Sequence, residues 1–178
     1  MKNIKIGIDL DGVIVNKPFF VPKKLIEWLF RAHSNHGKKY RIPTSKIEIA
    51  IRKISHHWLI RPPINKNIKI IKKLARAKNI DAYLVSGRYN FLQEKTNKWL
   101  KINGLAKLFP APFINLKNQQ PHLFKEATAN KLKLDYFFDD DPIIIDYFGN
   151  VNEKLKACLT SNKNNTQLEK LLKKTNFS

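Results

Sequence analysis

The sequence predicts an α/β fold, a parallel sheet covered on both faces by helices. Three apolar runs, "IKIGI", "IDAYLV" and "LDYFF", suit buried strands and are too short for helices. Segments with helical apolar spacing separate them. Each run ends abruptly in polar residues: Asp9 and Asp11, then Ser86-Gly87-Arg88, then Asp139-Asp140-Asp141. Alternation of this kind calls for parallel strands joined by crossovers.

The first strand covers residues 3–10, and Gly12 supplies the backbone freedom needed where the chain turns out of the sheet. After Pro18 and Pro22, "KKLIEWLFRAH" gathers Leu25, Ile26, Trp28, Leu29 and Phe30 on one face and predicts a helix, with Pro22 suited to its first turn. A polar loop follows. Ser45-x-x-Glu48 is a capping-box pattern that opens a helix through "KIEIAIRKISHHWLI", which Pro62-Pro63 stops. "NKNIKIIKKLARAKN" predicts an amphipathic helix on Ile68, Ile71, Leu74 and Ala75, with Asn79 as its stop. The second strand runs into Ser86-Gly87-Arg88, and residues 89–102 predict the next helix, closed by Asn103-Gly104. "LAKLFPAPFINL" is ambiguous and allows a short strand after its prolines. A helix over 121–133 leads to the third strand, "KLKACLTS" fits a last strand and "QLEKLLKK" a short basic helix.

A chain of 178 residues suits one domain, or a domain with a modest insertion. With 43% hydrophobic residues and mean hydropathy of -0.41 it has a globular composition, and no apolar run approaches the roughly 20 residues of a membrane span. Asp9 and Asp11 interrupt the first apolar region and no small-residue cleavage site follows, so a cytoplasmic, membrane-free protein is expected. Cys158 stands alone, which excludes an intrachain disulfide, and a small buried hydrophobe is its expected role.

The net charge is +20, and it is unevenly spread: residues 16–80 hold 17 Lys and Arg against only Glu27 and Glu48. A basic zone attracts phosphate-rich ligands and speeds their arrival. Lys-, Asn- and Ile-rich codon usage produces the same excess, so charge alone names no partner.

Ligands of open parallel sheets bind beyond the carboxyl ends of the strands, where the loops converge. The three polar strand ends should therefore meet in one site. Carboxylates crowded together raise one another's pKa unless a cation neutralises them, and a hard, oxygen-seeking ion such as Mg²⁺ suits them, with substrate phosphate oxygens completing its shell. Lys125, at the start of the helix before the third strand, could add a positive charge.

These residues resemble the motifs of the haloacid dehalogenase (HAD) superfamily of aspartate-nucleophile phosphatases. Asp9-Leu10-Asp11-Gly12 is similar to its first motif, Ser86 to its second, Lys125 (with Lys131 as the lesser candidate) to its third, and Phe138-Asp139-Asp140 to its fourth. The resemblance runs from about residue 4 to 160 and looks most like the 5′-nucleotidase or deoxyribonucleotidase branch. It implies a Rossmann-like core with a small helical cap inserted after the first strand: core at 1–15 and 64–178, basic cap at 16–63. It also implies that Asp9 attacks phosphorus, that Asp11 serves as general acid and then base, and that Ser86 and the Gly87 amide hold the phosphoryl oxygens beside Gly12. Lys125 would offset negative charge there. Mg²⁺ would be bound by Asp9, the Asp11 backbone carbonyl and one of Asp139 or Asp140, Asp141 leaving that choice open. Arg88 either grips substrate phosphate or pairs with a surface acid.

A cap at that point in the chain would set the +20 protein's most basic segment over the phosphate pocket, which suits a nucleotide or another small anionic phosphate ester. Phe19, Phe20, Trp28 and Trp58 could stack on a base, though packing of the cap itself is the commoner use of such residues. His56-His57 makes poor zinc ligands, since neighbours on a helix point apart. A competing expectation is a nucleic-acid-binding protein, or a phosphatase of nucleic-acid ends, gripping backbone phosphates with the basic cap. Steep salt dependence would distinguish it. An interaction module without catalysis fits the full motif set poorly.

Overall fold

A computed structural model describes residues 3–18 and 40–175. Five parallel strands form one sheet: β1 (Ile4–Ile8), β2 (Ile80–Tyr89), β3 (Phe113–Asn115), β4 (Tyr136–Asp139) and β5 (Lys156–Leu159), in the order β3-β2-β1-β4-β5. The helices are α1 (Lys46–Ser55), α2 (Asn65–Leu74), α3 (Gln93–Ile102), α4 (Pro121–Leu132), α5 (Pro142–Val151) and α6 (Thr166–Thr175). The expected helix over 22–33, and with it Phe19, Phe20 and Trp28, lies outside the described residues.

The first strand reads as a continuous apolar run because it is the central strand, hydrogen-bonded on both sides and covered on both faces. Ile6 and Ile8 are fully buried in a cluster with Ile68, Ile71 and Leu74 of α2, Trp99 of α3, and Leu168 and Leu171 of α6. On the opposite face Val85 and Phe137 pack with Ala129 of α4 and with Ile144 and Phe148 of α5. The result is a three-layer α/β/α sandwich, as the alternation of elements predicts. Cys158 of β5 is buried in the first cluster, where burial raises its thiol pKa. Trp58, offered as a stacking residue, packs against that cluster instead.

Three boundaries differ from the sequence expectation, each for a local reason. The helix from Ser45 stops at Ser55 rather than continuing to the prolines, because Arg61 folds back and its Nε donates to the Ser55 carbonyl; a 3₁₀ turn, Trp58–Ile60, follows. Its capping box is realised only on one side, with the Ser45 hydroxyl accepting the Glu48 amide at 3.1 Å. The helix expected from residue 89 begins at Gln93, since Tyr89 still pairs with Asn115 and a 3₁₀ turn fills 90–92. The lysine-rich helix α2 ends at Leu74, several residues before Asn79. The prolines at 110 and 112 do precede a strand, the three residues of β3.

Candidate active site

The carboxyl ends of β1, β2 and β4 open into a pocket of about 160 Å³, lined on the core side by Asp9, Asp11, Gly87, Arg88, Lys125, Asp139, Asp140 and Asp141. Tyr40, Arg41, Arg52, His56, Tyr89, Leu92 and Pro121 form the rest of its wall.

Asp9 leaves β1 where its amide still bonds Phe138 O at 2.9 Å, so the β1–β4 register sets the first aspartate beside the acidic end of β4. Lys125 Nζ then bridges the two strands, 2.9 Å from Asp9 Oδ1 and 2.7 Å from Asp139 Oδ2. All three residues are at least 95% buried. Two glycines permit this approach. Gly12 has φ of 80°, a left-handed conformation, and a Cβ there would fall on the Asp140 carboxylate. At Gly87 a Cβ would lie 3.1 Å from Pro121 Cβ and 3.5 Å from Lys125 Cε, so its absence lets the first turn of α4 sit against β2 and deliver the lysine. Lys131, the lesser candidate, is exposed in the last turn of α4.

The three consecutive aspartates divide their work. Asp139 is fully buried, binds Lys125 and accepts the Asp141 amide at 3.0 Å. Asp140 reaches Lys17 Nζ at 2.8 Å. Asp141 caps α5, accepting the Ile143 amide at 2.9 Å, and accepts the Tyr40 hydroxyl at 2.6 Å. Among the described residues Asp9, Asp139 and Asp140 each offer an oxygen within 4.8 Å of the others, a donor set that fits a hard divalent cation. Burial is the main reason the Asp9 carboxyl lies well above its ordinary range; the nearby Lys125 charge pulls it back, while Asp139, Asp11 and Asp140 push it further up. Burial, then Asp139, raises Asp140 to about 6, partly offset by Lys17. Such a cluster is short of positive charge.

Asp11 is held differently. Arg88 grips it with two bonds, Nε to Oδ2 and a terminal nitrogen to Oδ1, both 2.7 Å, and Arg61 adds a third contact at 3.4 Å. Burial acts to raise this carboxyl, but the Arg88 charge and hydrogen bonds, with Arg61, win and hold it well below the usual carboxylate range. Its side chain therefore stands outside the three-carboxylate cluster. The partner of Arg88 is thus the second aspartate of the first motif, not a surface acid. Thr96 braces the same guanidinium at 3.1 Å.

Ser86 and Gly12 lie beside the pocket rather than on its described wall. Ser86 is 1% exposed, and its hydroxyl accepts the Arg88 amide at 3.3 Å. The ladder slips between Ser86 and Tyr89, with Ser86 opposite Ile114 and Tyr89 opposite Asn115, so Gly87 and Arg88 bulge out of the sheet toward the pocket.

Sequence reasoning missed the second wall almost entirely. Arg61 is 5% exposed, bonded to Ser55 O and 3.0 Å from the His56 ring, while its own carbonyl accepts the indole N–H of Trp99 at 2.8 Å. Burial, helped by Arg61 and Arg88, keeps the His56 pKa well below its ordinary value, so it is neutral. Tyr40 exchanges backbone bonds with the Gln120 side chain at 2.9 and 3.1 Å, tying this segment to the start of α4. No local pattern in the sequence marks these residues, because their pairing depends on where the folded backbone brings Arg61, His56 and Tyr40.

No family model and no curated protein matches the chain. Solved structures do. One is a HAD family enzyme from Bacteroides thetaiotaomicron, an aspartate-to-alanine mutant in complex with magnesium and inorganic phosphate; it aligns with a TM-score of 0.55 at 15% identity over 92% of this chain and 96% of that one. The fold is HAD-like. In that HAD-like frame the pocket sits at the carboxyl edge of the sheet, where the four motif segments named from the sequence converge. Among the described residues no helix is long and apolar enough to cross a membrane.

Proposed function

We propose that the protein is a Mg²⁺-dependent phosphomonoester hydrolase that works through Asp9. The observation that carries this is the contact of the Lys125 ammonium with both Asp9 and Asp139, inside a cluster whose third member is Asp140. Asp9, Asp139 and Asp140 would hold the metal, with the Asp11 carbonyl, and bound Mg²⁺ would neutralise the carboxylates and the phosphoryl oxygens. The neighbour's magnesium and phosphate support the same assignment.

In the first step an Asp9 oxygen bonds to phosphorus as the bond to the leaving oxygen breaks, and that oxygen takes a proton from Asp11. In the second, water adds to phosphorus, gives its proton to Asp11, and the bond to Asp9 breaks to release inorganic phosphate. The arginine pairing keeps Asp11 ionised, which is the form the second step needs. The first step needs Asp11 protonated, and therefore a looser hold by Arg88. Lys125 and the Gly87 amide would bind phosphoryl oxygens, with Ser86 shaping the bulge that presents that amide.

Residues 16–63 would act as a basic cap, and we favour a nucleotide or similar small anionic ester as substrate, as in the 5′-nucleotidase branch, in a cytoplasmic setting. The charge of +20 supports a second reading, a nucleic-acid binder or end-phosphatase. Phosphate release from sugar phosphates, nucleotides and 5′- or 3′-phosphorylated oligonucleotides, with Mg²⁺ and with EDTA, tests both. Asp9→Asn should lower release by about a thousandfold or more without unfolding the chain. Undiminished turnover by that variant would overturn the nucleophile, and oligonucleotide retention that collapses with salt would favour the second reading.

A further inference from the structure

Two tyrosines stand on the pocket wall, and their hydroxyls differ. Tyr40 donates to Asp141 at 2.6 Å, whereas the Tyr89 hydroxyl is buried and has no hydrogen-bond partner among the described residues. Tyr89 is only 5% exposed and belongs to β2 immediately after Arg88, so the strand that presents one arginine to Asp11 also presents this ring to the same cavity. A buried hydroxyl left unpaired is unfavourable, and native proteins rarely keep one without a use. Burial raises its pKa to about 12, against the opposing charge of Arg52, so it keeps its proton and is a donor across the working pH range.

The surroundings say what it waits for. The guanidinium of Arg52 lies 5.9 Å from the Tyr89 ring centroid, and Arg52 is 1% exposed although it sits on a helix from which Ile47, Ile51 and Ile54 face outward. It is held there by Glu48 at 3.2 Å and by the Arg41 carbonyl at 2.9 Å. Both Arg52 and Arg41 line the pocket beside Tyr89, with Leu92 adjacent. This wall carries donors and cations, and the neighbouring acids Asp141 and Glu48 are already engaged. It lines the same pocket as the Asp9–Lys125–Asp139 group that would take the phosphoryl end.

We propose that Tyr89, with Arg52 against its ring, forms the leaving-group subsite, and that it selects phosphate esters whose leaving group presents an oxygen acceptor to the Tyr89 hydroxyl. This rests on the hydrolase reading above and goes further by assigning specificity to named groups. The acceptor can be a ring carbonyl or a carboxylate, which share the same hydrogen-bond chemistry. A site built around a donor rejects ligands that lack the acceptor more strongly than an apolar pocket rejects a misfit.

The test compares wild type with Tyr89→Phe, which keeps the ring and removes only the hydroxyl, on uridine 5′-monophosphate, 3-phosphoglycerate and phenyl phosphate. Tyr89→Phe should lose about tenfold in kcat/KM on whichever acceptor-bearing ester the wild type prefers, and stay within about twofold on phenyl phosphate. The ester that responds tells ring carbonyl from carboxylate. The melting temperature of the unliganded variant should not fall, since no hydrogen bond is removed. Equal losses on all three esters, or no loss on any, would overturn the proposal.

A binding arm separates this inference from the catalytic one. In the Asp9→Asn background, either acceptor-bearing ester should raise the melting temperature more than inorganic phosphate does, and Tyr89→Phe should abolish the difference. If no ester is hydrolysed by the wild type, the hydrolase reading fails while this arm still decides the subsite. Protection no greater than that by inorganic phosphate would sink it.

Discussion

Helices α1 and α2 are each ten residues long, rich in Ile and Lys, and close in sequence, yet they bury opposite faces. In α2 the buried set includes Ile68, Ile70, Ile71 and Leu74, and the lysines face water, as an amphipathic helix on a sheet should. In α1 the buried residues are Glu48 and Arg52, while Ile47, Ile51 and Ile54 are 75%, 45% and 68% exposed. Periodicity therefore specifies that a helix forms, and says nothing about which face meets the protein. The neighbour decides that: α2 lies against an apolar sheet, whereas α1 stands over a pocket full of charge, where its polar stripe finds partners.

The difference can be tested by paired substitutions. Ile71 is fully buried, so Ile71→Ala should cost about 2–5 kcal/mol in urea denaturation through lost burial and a residual cavity. A cost below about 1 kcal/mol would mean that α2 is not seated on the sheet as described. On α1, Glu48→Ala removes the carboxylate shared by Arg52 and Arg41 and leaves the buried guanidinium with the Arg41 carbonyl. We expect about 2 kcal/mol of destabilisation, less than for a pair stripped of every partner. No loss would show that the polar face of α1 is hydrated rather than packed.

His56 sharpens the comparison through pH. Its folded pKa lies well below the ordinary 6.5, so the unfolded chain takes up a proton that the folded chain refuses as pH falls below about 6.5. Stability from this group is present above that pH and is lost on acidification, by at most about 1.4 kcal/mol per pH unit. His56→Gln should flatten that part of the profile relative to wild type, and parallel profiles would place the ring in water. The smallest effect belongs to the outward stripe of α1: Ile54→Ser should shift stability by no more than about 0.5 kcal/mol. A larger loss would mean that something covers that face in solution.

Much of the candidate site was legible because its residues are adjacent in sequence to strand ends. Asp9, Arg88 and Asp139 sit within three residues of apolar runs whose meaning is local, and a parallel sheet carries such ends to one edge whatever the details. The choice of Lys125 over Lys131 was harder, because both lie on α4 and only the close approach at Gly87 selects the first. The Asp139-Asp140-Asp141 run could not be sorted at all from its letters. A cap, a metal-compatible carboxylate and an ammonium partner are all ordinary uses of aspartate, and backbone direction at the end of β4 distributes them.

By itself the chain determined the alternation of strands and helices, the parallel sheet, and the edge at which its chemistry collects, since these follow from short-range periodicity and from residues next to turns. Only the tertiary structure decided that Arg88 and Arg61 hold Asp11, that α1 turns its charged stripe inward, and that the Tyr89 hydroxyl stands unpaired beside Arg52. Those pairings join residues up to 77 positions apart, and a guanidinium finds its carboxylate by where the folded backbone puts it, which no local pattern encodes.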